Sequence, residues 1–74
     1  DPGVHPTAVI GVDCQLGKDV FLGPHCVLGR GVKLADGVVI GAGTVIGDDC
    51  QIGSRTRLAA NVTLYHGVIL GDDC

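Results

Sequence analysis

The chain of 74 residues has no glutamate, only five basic residues, no CxxC pair and no long apolar run. Lys18, Arg30, Lys33, Arg55 and Arg57 are scattered and the net charge is −3. No basic face is available to neutralise phosphates, which argues against nucleic acid or an anionic lipid surface as partner. Gly and Asp interrupt the apolar residues every few positions, well short of the roughly 18 to 20 residues that a helical membrane span requires. No signal-peptide pattern opens the chain. GxSxG, a P-loop and a dinucleotide GxGxxG after a long strand are all missing. The four cysteines, at 14, 26, 50 and 74, lack metal-site spacing. We therefore expect no metal, no cofactor and free thiols in a reducing cytoplasm.

What the chain does have is a period. Every sixth residue from Val4 to Leu70 is Val, Ile or Leu, twelve positions without exception, and all seven leucines fall in that register. With these three residues making up about a third of the chain, chance gives odds on the order of one in a hundred thousand. Six is even, so strand-like alternation stays in phase from unit to unit, whereas 3.6 residues per turn would smear the stripe around a helix. Two residues before each aliphatic stands a smaller inward residue: Ala8, Cys14, Val20, Cys26, Val32, Val38, Thr44, Cys50, Thr56, Val62, Val68 or Cys74. On this reading the cysteines pack inside as small hydrophobes. Cys14 and Cys50 then lie two coils apart on one face, about 9.5 Å by strand spacing and beyond disulfide reach.

Glycine usually follows the aliphatic, and two residues later comes Asp, Asn or Gly, residue types that accept positive φ at least cost. These positions are corners. His25 and Arg55 break the series, which predicts strain or a different turn at Arg55. Seven of the eight aspartates fall at corners, where a short carboxylate can bond nearby backbone N–H groups. Gly29-Arg30-Gly31 and Gly41-Ala42-Gly43 obey the same register and are corners too, not phosphate loops.

Short strands separated by corners cannot bury anything alone, so the units stack into a parallel solenoid. Three corners per coil give an eighteen-residue repeat and about four coils. The hexapeptide pattern resembles the left-handed parallel β-helix of bacterial acyltransferases, an all-β triangular prism, and the left hand is what that resemblance implies. Val4-His5-Pro6-Thr7-Ala8 and Gly23-Pro24-His25-Cys26-Val27-Leu28-Gly29 resemble lipid A acyltransferases. Leu58-Ala59-Ala60-Asn61-Val62-Thr63-Leu64-Tyr65-His66 is similar to a segment of the UDP-3-O-acylglucosamine N-acyltransferase family.

That resemblance implies a cytoplasmic homotrimer transferring a 3-hydroxyacyl chain from acyl carrier protein to the 2-amino group of a UDP-linked glucosamine, with a histidine as base. It places the family's catalytic histidine in coils outside this stretch, so the role is not transferred to His66. Residues 1–74 then read as a single hexapeptide-repeat segment excised from a longer chain, since Asp1 is not an initiating Met. The segment is expected to be catalytically inert alone.

At eighteen-residue spacing the outward strand residues form three faces. Val9, Val27, Val45 and Thr63 make one, Gln15, Lys33, Gln51 and Ile69 a second, and Phe21, Val39 and Arg57 a third. The apolar rows predict an oligomer interface at Val9, Val27, Val45, Thr63, Phe21 and Val39. Unpaired strand edges at the two ends suggest end-to-end stacking as a further mode of self-association.

His5, His25 and His66 are the candidate general bases. All sit near corners, His5 and His25 by one edge and His66 on another, so they do not converge within one subunit. His66 and His25 are the weak catalytic candidates, needing a neighbouring subunit. A metal-binding β-helix is the remaining alternative, and it lacks a closely spaced histidine pair. The threonines at 7, 44, 56 and 63 do not align into an ice-binding array.

Overall fold

The computed structural model describes residues 3–74. Asp1 and Pro2, and with them the expectation attached to Asp1, lie outside the described residues. Eleven two-residue strands follow one another: β1 (Val9–Ile10), β2 (Gln15–Leu16), β3 (Phe21–Leu22), β4 (Val27–Leu28), β5 (Lys33–Leu34), β6 (Val39–Ile40), β7 (Val45–Ile46), β8 (Gln51–Ile52), β9 (Arg57–Leu58), β10 (Thr63–Leu64) and β11 (Ile69–Leu70). They stack as three parallel sheets. The first holds β1-β4-β7-β10, the second β2-β5-β8-β11 and the third β3-β6-β9. Every pair is offset by eighteen residues, as in Val9 with Val27 and Gln15 with Lys33. The result is a three-sided solenoid of three complete turns and two sides of a fourth, with Val4 bridging beneath Leu22.

Backbone hydrogen bonds explain why such short strands persist. Val9 N–H donates to Cys26 C=O (2.8 Å), Val27 to Thr44 (2.9 Å) and Val45 to Val62 (2.9 Å), each reaching seventeen residues ahead into the next coil. Corners join the ladder in the other direction: Gly31 N–H donates to Val12 C=O, Asp49 to Arg30 and Gly67 to Asp48. A single coil could satisfy none of these groups internally, so coils form together.

Three corner columns connect the sheets. Corner one, after the first sheet, stacks 12–13, 30–31, 48–49 and 66–67. Corner two, after the second, stacks 18–19, 36–37, 54–55 and 72–73. Corner three, after the third, stacks 6–7, 24–25, 42–43 and 60–61. The second residue of every corner from 13 to 73 is left-handed, with φ between 57° and 75°. His25 (φ 62°) and Arg55 (φ 61°) adopt the same conformation as their neighbours. Of the two alternatives expected at Arg55, strain or a different turn, the structure shows the ordinary corner geometry with a non-glycine residue in it. Stacking forces one geometry on the column, and Arg55 accepts the steric cost of a left-handed residue with a Cβ.

Aspartate serves the corners in two ways. Asp13, Asp19, Asp49 and Asp73 supply left-handed residues. Asp36, Asp48 and Asp72 instead accept, through Oδ1, the backbone N–H of Lys18 (2.8 Å), Arg30 (2.8 Å) and Ser54 (2.7 Å) one coil below. These bonds run between coils. The same three carboxylates occupy the space that a Cβ at Gly17, Gly29 or Gly53 would need. Glycine and aspartate nineteen residues apart are thus one device.

The core is a column. Leu22, Leu28, Ile40 and Ile46 are fully enclosed, and Val32, Val38, Cys26 and Cys50 pack beside them. Toward the ends the inward series opens, and Val4, Ile10 and Cys74 are exposed. The expectation that all four cysteines are buried therefore fails at Cys74, which has no coil above it in this chain. Among the described residues no buried side-chain nitrogen or oxygen lacks a partner.

Small polar residues in the core share one geometry. The thiols of Cys14, Cys26 and Cys50 donate to the carbonyls of Gly29 (3.1 Å), Gly41 (3.0 Å) and Tyr65 (3.0 Å). The hydroxyls of Thr44 and Thr56 donate to those of Ala59 (2.9 Å) and Gly71 (2.6 Å). Each donor reaches the carbonyl fifteen residues on, so Cys and Thr are interchangeable there. Thr44 Oγ1 also accepts from Val62 N–H at 3.3 Å.

Two outcomes follow. Thr44→Val should lower the unfolding free energy by about 1 to 3 kcal/mol, since Val62 N–H loses its acceptor, while Thr44→Cys should cost less; urea denaturation compares them. A Cβ on Gly41 would lie 2.6 Å from the backbone of Ala59 and Ala60, whereas Gly71 has nothing within 4 Å. Gly41→Ala should therefore cost about 1 to 3 kcal/mol and Gly71→Ala less than about 0.5 kcal/mol, read from the same denaturation curves.

Candidate functional site

Three features of the surface bear on chemistry: the histidines, one groove and the apolar rows. His5 and His25 meet at the base of corner three through Thr7. Thr7 Oγ1 accepts the His25 backbone N–H at 2.9 Å and lies 2.9 Å from His5 Nδ1, which also accepts Thr7 N–H at 3.2 Å. Nδ1 of His5 is thereby already engaged by the Thr7 hydroxyl and amide.

His66 stands on corner one, above Asp48, Arg30 and Val12, on a different edge from His25. Among the described residues neither the His25 nor the His66 ring has a hydrogen-bond partner to orient it as a base. The structure thus places His25 and His66 where the repeat predicts and does not bring them together. Thr7 as the link between His5 and His25 was not foreseen, although the eighteen-residue offset between Thr7 and His25 was a usable signal.

An open groove of about 450 Å³ runs along the second sheet. The stacked side chains of Gln15, Lys33, Gln51 and Ile69 line it, beside the small residues Gly17, Ala35 and Gly53. The contrast of long and small outward residues creates the depression. Both series were visible in the sequence, but their adjacency was not drawn from it.

The apolar rows lie on the other two sheets. Val9, Val27 and Val45 are exposed on the first, continued by Thr63, and Phe21 is exposed on the third with Val39 half-buried above it. The register expected for the interface residues is the one observed. Ile69 and Tyr65, near the upper end, are the most exposed of the remaining large apolar side chains described.

One ion pair is present among the described residues. Arg55 Nε and Nη2 donate to Asp73 Oδ1 (2.7 Å) and Oδ2 (3.1 Å) one coil above. The hydrogen bond from Arg55 holds the Asp73 carboxyl below the usual carboxylate range, with the guanidinium charge adding to it, and the Arg55 pKa is raised by the same contact. The pair lies in open solvent and is screened, so it is a register pin, not a large source of stability. No group of three or more His, Cys or Asp side chains among the described residues is gathered closely enough to hold a metal ion. No helix among them is long and apolar enough to cross a membrane.

Known proteins share this repeat. Residues 13–48 match the family described as bacterial transferase hexapeptide (six repeats), and residues 44–74 match the hexapeptide repeat of succinyl-transferase. A stretch of 47 residues, 64% of this chain and 10% of the relative, is 45% identical to UDP-3-O-acylglucosamine N-acyltransferase 1 of Legionella pneumophila (strain Paris). A stretch of 24 residues, 32% of this chain and 7% of the relative, is 62% identical to UDP-3-O-acylglucosamine N-acyltransferase of Rippkaea orientalis. The chain thus spans about a tenth or less of the length of these curated relatives. A solved structure described as Arabidopsis UDP-N-acetylglucosamine acyltransferase aligns over 92% of this chain and 25% of its own at 27% identity and TM-score 0.43, too loose a likeness to carry an argument.

A pH dependence follows from the ion pair. Because the folded-state pKa of Asp73 is depressed, its contribution is present above the carboxyl's unfolded pKa and is lost as pH falls through the lower folded value. Asp73→Asn should flatten the acid limb of the stability curve slightly relative to the parent chain, and the difference should shrink in high salt; thermal melts across acid pH at two salt concentrations check this.

Proposed function

For a chain built of transferase hexapeptide repeats, and so for a left-handed β-helix, we propose the role of an acyltransferase scaffold that self-associates as a cytoplasmic homotrimer and does not transfer acyl groups by itself. The observation that carries this reading is the row Val9, Val27 and Val45, exposed in strict register on one sheet. Valine suits any strand, and three stacked in register add up to the kind of exposed apolar row that a subunit contact covers.

In the reaction suggested by the N-acyltransferase relatives, the 2-amino group of a UDP-linked glucosamine attacks the thioester carbonyl of an acyl carrier protein substrate. The C–N bond forms, the thiol leaves and a base removes the amine proton. That base must be oriented and must have a free lone pair. Nδ1 of His5 is occupied, and the His25 and His66 rings are unanchored on separate corners. The helix therefore offers shape and subunit contacts, while acyl carrier protein and the UDP-sugar are partners of an enzyme containing such a helix. Free thiols bonded to backbone carbonyls suit a reducing compartment.

The purified chain, mixed with 3-hydroxyacyl–acyl carrier protein and the UDP-linked amino sugar, should release no thiol above background, and light scattering should give the mass of three chains. Turnover would overturn the inert reading, and its loss in His25→Ala would assign the base to a subunit contact. A mass of one chain would overturn self-association.

A further inference from the structure

The charges of this prism are not spread evenly around it. Of the twelve charged side chains described, ten stand on corners one and two. Lys33 lies on the second sheet and Arg57 on the upper third sheet. Corner three carries none in any of its four tiers, where the chain instead places proline, alanine, glycine, threonine, His25 and Asn61. The charged corners are both net acidic. Corner one has three aspartates against Arg30, and corner two has four against Lys18 and Arg55.

We infer that corner three is the surface by which copies of this chain meet, placing His25 against a neighbouring copy and leaving the groove of the second sheet open on the opposite side. The inference rests on the self-association proposed above and names its surface. A chain of net charge −3 repels its own copies, and contact through corner one or two would bring acidic columns within a Debye length of each other. Corner three is the one column where that repulsion is absent. It also joins the two sheets that carry the apolar rows, Val9, Val27 and Val45 on one flank and Phe21 and Val39 on the other.

Size points the same way. A standard interface takes about 800 Å² from each partner, about a fifth of the 4264 Å² exposed by this chain. One row of valines falls short of that, whereas a corner with parts of both flanks can supply it. In a three-sided section the second sheet lies opposite corner three, so the groove lined by Gln15, Lys33 and Gln51 stays accessible in the assembly.

Matched charge insertions test the surface. His25→Asp with Asn61→Asp loads corner three, and His66→Asp with Gly67→Asp loads corner one by the same amount. Aspartate already occupies equivalent left-handed sites at 13, 19, 49 and 73 and the equivalent first-corner site at 48, so both variants suit the fold. Light scattering on the full chain should show the parent as an oligomer, the corner-three variant weakened at least about tenfold in association with recovery in high salt, and the corner-one variant unchanged. Retention of the oligomer by the corner-three variant, or its loss in the corner-one variant, would overturn the inference while leaving self-association standing. A monomeric parent would overturn self-association and the inference with it. Carbethoxylation of the parent provides a readout independent of the variants' folding: His25 should react at least about tenfold more slowly than His66 if enclosed by a copy, and equal rates would reject the surface.

Discussion

Everything in this molecule depends on backbone pairing between residues eighteen positions apart. A two-residue strand has too few hydrogen bonds and too little side-chain contact to exist alone, and among the described residues no strand is longer. Each becomes stable because the coils above and below satisfy its amides and carbonyls, and the corners between strands are bonded in the same way. Stability is therefore a property of neighbouring coils, and the middle of the stack is better enclosed than its ends. The inward side chains fill the column that this pairing creates, with Leu and Ile at one position and a smaller residue two places earlier.

The corners show how strictly the stack governs local chemistry. A left-handed residue is required at each level from 13 upward, and the chain meets the requirement with Gly, Asp or Asn wherever it can. Where it places Arg55, the side chain pairs with Asp73 in the next coil, so a residue poorly suited to its backbone conformation gains a partner that fits the column. The first corner residue has a different task. Asp36, Asp48 and Asp72 reach down to cap an amide, and at these three positions the short aspartate side chain sets its carboxylate over the glycine beneath.

Much of this was legible from residue order. The sixfold register located all eleven strands, the three outward faces and the core, since an even period fixes which side chains point inward without knowledge of the contacts. The placement of His25 and His66 on separate edges followed from the same count. Interactions between coils were less legible. That Asp36 bonds Lys18 rather than its own turn depends on the rise between coils and on the missing Cβ of Gly17, neither of which a periodic pattern encodes. The Thr7 link between His5 and His25 and the depression beside Lys33 escaped notice for the same reason, as they arise from residues adjacent in space at different levels. Cys74 obeyed the inward register and is exposed, because register sets direction while burial also needs a covering coil.

The uniform eighteen-residue offset also makes the length of the polypeptide a rotational variable. Insertion or deletion of a whole coil would leave every later side chain on its original face, changing only height. A change of six residues would preserve the lining of the column and still turn all later levels by one third of a revolution. The uncharged corner would then continue upward as an acidic one, and a surface defined by alignment over several levels would be cut in two while the inward-outward alternation persists. In a protein of this kind, an indel of six residues acts on outward geometry while the inward register is kept.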